Sequence, residues 1–341
     1  MKHIEQRDEK IDILRAFAIL CILLAHSSPP GFIFQLRNFD VTLMVLLMGA
    51  SYYLSNKNKT IRYSTYLVKR FRRLILPTWK FLVFFFFLFY LVALISGNEF
   101  YFSKDEIVTS FILTDGIGFV WIMRVFFTIA VVSPLLMFIN EKVTSNGIYF
   151  AFIALLLVIY NIMLTIFDQN GTRAGIQTLN YIFDGVGYSL IAAIGIRLYK
   201  IKKTQLLNIA LIFLLIFIVL MLFHHFSSTQ NFKYPPTIYY FSYGLSISFL
   251  LIYFLSYDNI KEKFNIKPIL FLSRKSLDLY YCHIIPYYII ELFGVSLPLI
   301  SSNFVTRFLF LLIIGLLLVY LQSKFLSIIE KLKKWEFGAE S

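Results

Sequence analysis

Two side chains in the first apolar run of the chain, Arg15 and His26, are the best equipped for chemistry. They lie eleven positions apart; at about 100° per residue that is three turns plus roughly 20°, which sets both on one helix face about 16 Å apart. An imidazole with its ordinary pKa of about 6.5 can act as a general base at neutral pH. A guanidinium on the same stripe can hold an anion, and Asp12, three residues earlier, is placed to neutralise it. The same positions also suit plainer roles. His26 fits a helix-end histidine bonded to a carbonyl, and Arg15 fits a snorkelling anchor at a membrane edge.

A second constellation is Lys69, Arg70, Phe71, Arg72 and Arg73 before Pro77. Arg70 and Arg73 stand at i and i+3, so their planar forks could close on one phosphate. Such a run also sets topology and touches anionic lipid. Arg124 falls inside an apolar run and requires a carboxylate, Asp40 or Asp184, or an anionic ligand. His283 precedes Pro286, whose missing N–H frees a carbonyl for local hydrogen bonding. His224 and His225 are adjacent, which is not a spacing for joint metal ligation on a helix. No G-x-S-x-G elbow, glycine-rich phosphate loop or H-E-x-x-H is present. Any chemistry must therefore be built from histidine, arginine and scattered carboxylates such as Asp12 and Asp40, and no metal is expected.

The elements that must position these groups are membrane helices. Only 15% of the 341 residues are charged and 59% are hydrophobic, too little polar surface to cover a water-soluble domain. Apolar stretches of about 20 residues match a hydrocarbon layer of about 30 Å. The hydropathy pattern predicts ten spans near 11–28, 37–55, 74–96, 117–139, 148–167, 181–198, 206–226, 237–256, 276–293 and 304–326. Alternate loops, the two tails and the flanking helix ends carry 24 of the 32 Lys and Arg residues, against four on the opposite side. The positive-inside rule then places both termini in the cytoplasm. The formal charge of +13 thus reports topology rather than nucleic-acid binding. Cys21 and Cys282 sit inside apolar runs, where they read as packing residues. No cleavage site follows the first apolar run, so that span is expected to stay attached. No internal repeat or long linker divides the chain, and the expected fold is all-α, a single polytopic membrane-embedded bundle over 1–341.

These residues resemble the acyltransferase-3 family, bacterial membrane O-acyltransferases that modify exported glycans. The likeness is carried by Arg15 and His26 with ten residues between them, by Arg70-x-x-Arg73 followed by Pro77, by Trp121 to Arg124 with Ser133, Pro134 and Leu135, by Lys233, Tyr234, Pro235 and Pro236, and by the run 280–286. Met48, Gly49, Ala50 and Ser51 stand where that family commonly has a serine-glycine-tyrosine element, keeping the glycine alone. The resemblance implies transfer of an acyl group, by family habit acetyl, from cytoplasmic acyl-CoA to a hydroxyl of a cell-surface or exported polysaccharide or its lipid-linked precursor. It implies His26 as general base, Arg70 and Arg73 on the donor's phosphates, and Arg15 in a donor-binding or supporting role, with Arg124, His283, Asp12 and Asp40 as further site candidates. Acetyl-CoA enters as a substrate, with no bound cofactor. The partners expected are acyl-CoA, a glycan, membrane lipid and other polysaccharide-synthesis proteins in the bacterial plasma membrane, without an appended extracytoplasmic catalytic domain. A transporter or flippase for a lipid-linked glycan would also carry charged residues in a bundle, although repeat symmetry, common in such proteins, is missing. A scaffold for glycan synthesis is a third reading, and only an enzyme would transfer label from acetyl-CoA.

Overall fold

The computed structural model describes residues 8–59, 62–170 and 173–338. Within them the backbone is helical, in the order α1 (Glu9–Ala25), α2 (Gly31–Leu36), α3 (Asp40–Asn56), α4 (Tyr63–Ser96), α5 (Lys104–Phe111), α6 (Trp121–Lys142), α7 (Asn146–Asn170), α8 (Arg173–Arg197), α9 (Lys203–Phe223), α10 (Ile238–Phe254), α11 (Asp258–Phe264), α12 (Lys267–Arg274), α13 (Ser276–Cys282), α14 (Ile284–Phe293), α15 (Pro298–Ser301) and α16 (Phe304–Gly338). Helices are what lipid permits, because each backbone N–H and C=O must be satisfied within its own segment. Seven of the described helices are long and apolar enough to cross a bilayer: α3 with the short α2 before it, α4, α6, α7, α8, α9 and α16. An eighth is added if α10 and α11, bent by 100° at their junction, form one span. The chain is a multi-pass membrane protein.

Each predicted span falls on a helix or, in one case, a pair, and the differences have physical causes. The first is 17 residues long and ends at Ala25, where His26 takes the capping position. The ninth is broken into α13 and α14 at His283. Pro286 cannot donate to the turn before it, so the ladder is interrupted there. The third begins earlier than its apolar run: α4 has 34 residues, about 51 Å at 1.5 Å per residue. Its first turns, carrying Lys69 to Arg73, continue a helix beyond the apolar part. Charge stops a span in lipid but does not stop a helix.

The bundle is apolar on its outer face as well as in its core. Helix α9 presents Leu211, Ile212, Leu215, Ile218, Val219, Leu222 and Phe223 outward, where lipid rather than water is their solvent. Helix α8 is the most enclosed of the long helices. It crosses α3 at backbone contact: a Cβ on Gly49 would meet the Ala192 carbonyl and one on Gly195 the Leu46 carbonyl, both closer than real atoms approach. Small residues let membrane helices touch this way. Gly49→Ala and Gly195→Ala are therefore expected to destabilise by roughly 1–3 kcal/mol, the reverse of the usual gain of about 1 kcal/mol from Gly to Ala within a helix. Gly147→Ala, whose Cβ would meet nothing nearer than Ser145 Oγ at 3.7 Å, should be almost neutral. Thermal unfolding in detergent reads the difference; equal stability of all three would remove the close crossing.

Arg197 closes one end of this core. The side chain is fully buried and donates to the carbonyls of Asn140 (3.1 Å), Val143 (2.5 Å) and Thr144 (2.7 Å) and to Asn146 Oδ1 (2.8 Å). These carbonyls sit at and just beyond the end of α6, where intrahelical partners run out and the dipole favours a cation.

Candidate functional site

Asp8 caps the start of helix α1, its carboxylate accepting from Lys10 N at 2.9 Å, and the helix with its C-terminal cap carries Arg15 and His26 along one stripe. Asp12, 4% exposed, accepts from Ser273 Oγ of α12 at 2.9 Å and meets Arg15 Nη1 at 3.4 Å. Arg15 Nη2 donates to Ser51 Oγ of α3 at 3.0 Å. The stripe is thus fixed to two neighbouring helices, with Asp12 holding Arg15.

That stripe borders a cavity of about 580 Å³. Arg15, Ser51, Arg70, Arg73 and Arg274 line it toward one end of α1, and His26, Arg37, Asp40, Lys233 and Phe119 toward the other. The two groups of the sequence argument, the Arg70 and Arg73 pair and the imidazole of His26, therefore share one space. Helix α4 brings the arginines there by extending through its basic turns. Arg70 also lies over the Tyr66 ring, 5.1 Å from its centroid.

At the far end His26 meets His283, with Nδ1 of the first 2.8 Å from Nε2 of the second. The rings are parallel within 4°. His283 Nδ1 lies 3.2 Å from the Leu279 carbonyl, which can only accept, so that nitrogen carries the proton. In neutral His283 the bare Nε2 then accepts from His26 Nδ1–H, which leaves His26 Nε2 as a free lone pair; this is a tautomer assignment from the network. His283 is fully buried and does not line the cavity. It fixes the ring of the histidine that does. His283 does bond locally, but to the Leu279 carbonyl, which also accepts from His283 N, and not to the carbonyl that Pro286 leaves free. Phe119 packs its ring edge-on to His26 at 4.5 Å. Its loop is held by Tyr280, which donates to the Phe119 carbonyl, and by Tyr288, which donates to the Ile117 carbonyl at 3.0 Å.

A third cluster borders the same space. Arg37 Nη1 lies 2.8 Å from Asp40 Oδ2, and Lys233 Nζ lies 3.7 Å from Asp40 Oδ1. All three side chains are buried. Asp40 is thus committed here, and the carboxylate that answers Arg124 is Asp184, at 3.1 Å. Arg124 also donates to the Leu113 carbonyl at 3.2 Å and lies 4.1 Å from the Tyr181 ring centroid. It is not among the residues lining the cavity.

Sequence reasoning missed Arg37, Lys233 and Arg274 as site residues, because bases in loops and at span edges were read as topology. The i,i+3 spacing of Arg37 and Asp40 was the available signal. A family model described as an acyltransferase domain matches residues 8–323. No curated protein and no solved structure matches the chain. Since the match runs from the residue that caps the helix of His26 into α16, whose Gly315 packs on His283, the chain belongs to the acyltransferase-3 family, a family of membrane acyltransferases.

Proposed function

We propose that this acyltransferase moves an acetyl group from cytoplasmic acetyl-CoA to a hydroxyl of a cell-surface or exported polysaccharide, or of its lipid-linked precursor. The observation that carries the reading is the single cavity bordered by both the Arg70 and Arg73 pair and His26. In this reading the chain is one membrane-embedded domain of ten crossings in the bacterial plasma membrane, with both termini cytoplasmic. The charge alternation supports it. The arginines then face the cytosol and His26 the outer side.

The chemistry follows from the groups available. The donor's phosphates rest on Arg70 and Arg73, with Arg274 beside them, and the thioester extends toward His26. The acceptor hydroxyl oxygen bonds to the thioester carbon while His26 Nε2 takes its proton. Collapse of the tetrahedral adduct breaks the C–S bond, and the imidazolium returns the proton to the leaving thiolate. The products are an O-acetyl ester and free coenzyme A, with His26 neutral again. Enclosure in the bundle limits attack by water.

Purified protein incubated with radiolabelled acetyl-CoA and a glycan acceptor should place label on the glycan; a flippase or scaffold would leave it on the donor. His283 supports the reading as a positioning residue. His283→Leu is expected to lower turnover about 10–100-fold, by analogy with loss of the hydrogen-bond partner that orients a metal-ligating histidine. His283→Gln, whose amide oxygen can still accept from His26 Nδ1–H, should keep more of the rate, with donor KM unchanged in both. Equal losses in the two variants would assign His283 to packing alone.

A further inference from the structure

The cluster of Arg37, Asp40 and Lys233 is not used by the transfer step, yet it borders the same cavity. Two cations share one carboxylate there: 2.8 Å from Arg37 and 3.7 Å from Lys233. Lys233 Nζ also donates to Asn38 Oδ1 at 3.4 Å and lies 5.5 and 5.8 Å from the ring centroids of Tyr234 and Tyr240. Arg37 Nε is buried with no hydrogen-bond partner. Arg37 and Lys233 are each 4% exposed. A buried surplus positive charge is costly in a bundle surrounded by lipid unless an anion answers it. Along the whole cavity Asp40 is the one acidic residue among the described lining residues, against six bases. Four of those, Arg15, Arg70, Arg73 and Arg274, border the end where the donor is placed.

The wall beside the cluster is aromatic. Tyr234, adjacent to Lys233, and Trp121 of α6 both line the cavity, with ring centroids 4.8 Å apart and planes at 88°. Aromatic faces with charged hydrogen-bonding groups at their edge are a surface on which a sugar ring can stack while its polar substituents are held. Lys233 and Arg37 come from two of the segments that the charge alternation places on the outer side. A donor held by its phosphates at the other end leaves this lobe for the acceptor.

We propose that Arg37, Lys233 and Asp40, with Tyr234 and Trp121, form the acceptor subsite, and that it selects a glycan bearing an oxyanion, a carboxylate or a phosphate ester. This rests on the acyl-transfer reading for the word acceptor, but binding can be measured without transfer. Full-length protein in detergent would be titrated by calorimetry with maltotriose, tri-galacturonate and a phosphate ester of maltotriose. The acidic ligands are expected to bind about tenfold or more tightly than maltotriose, the scale of a charge-assisted hydrogen bond. The carboxylate and phosphate arms identify which oxyanion is preferred.

The preference should survive Arg70→Ala with Arg73→Ala, which removes the other anion site, survive Lys233→Arg, and vanish in Lys233→Gln. Retained coenzyme A binding shows that the last variant is folded; if it does not fold, the wild-type preference and its survival in the Arg70 and Arg73 variant decide. Maltotriose binding as tightly as both acidic ligands would overturn the inference, as would a preference lost with the arginine pair or unchanged in a folded Lys233→Gln. Label transfer to a neutral glycan without any acidic preference would sink this subsite and leave acyl transfer standing. An acidic preference without label transfer would sink acyl transfer and leave an anionic-glycan site.

Discussion

Replacing His26 by alanine is expected to leave the protein in the membrane and to lower acyl transfer by about 10²–10⁴-fold, the range a positioned general base contributes. Insertion should be unaffected, since the rest of α1 is unchanged and alanine is no less compatible with lipid than histidine. The loss is chemical: the lone pair left on Nε2 while His283 occupies His26 Nδ1 at 2.8 Å is gone, and no other imidazole among the described residues lines that space. His283 Nε2 loses its donor, at a stability cost of about 1–3 kcal/mol, so thermal unfolding should be measured alongside turnover. A His26→Ala protein that is folded and fully active would remove His26 from the reaction.

The second large effect is expected at the mouth. Arg70→Ala with Arg73→Ala should raise the donor KM by one to two orders of magnitude, each charge-assisted contact to a phosphate contributing about 1.5–3 kcal/mol. The turnover number at saturating donor should change much less, because in the proposed reading the arginines hold the part of the donor that does not react. Added salt should weaken the wild type toward the double variant. A donor KM that is unchanged in the double variant would return the pair to the role of topology anchors.

How much of this was legible in the sequence depended on the range of the interaction. The stripe of Arg15 and His26 is set by helical periodicity, and it holds because nothing interrupts α1 between them. The reach of α4 past Arg70 was not legible, since hydropathy reports where lipid begins and not where a helix does. The pairing of His26 with His283 spans 257 positions, and neither neighbourhood names the other. Pro286 marked a break but gave no hint that the break would bring His283 against α1. Arg124 was read correctly as needing a carboxylate, yet which one it met depended on Asp40 already being held by Arg37 and Lys233. Lys233 was visible as one base in a loop of the sparse side, and only packing put it beside Asp40.

In the proposed reading one path joins a cytosolic donor site to a histidine on the opposite side of the membrane. Proteoliposomes with radiolabelled acetyl-CoA confined to one face and a membrane-impermeant glycan acceptor to the other would reveal such a path. Label on the glycan across the bilayer, lost in His26→Ala, is the expected result. Transfer that occurs only when donor and acceptor share a face would contradict it.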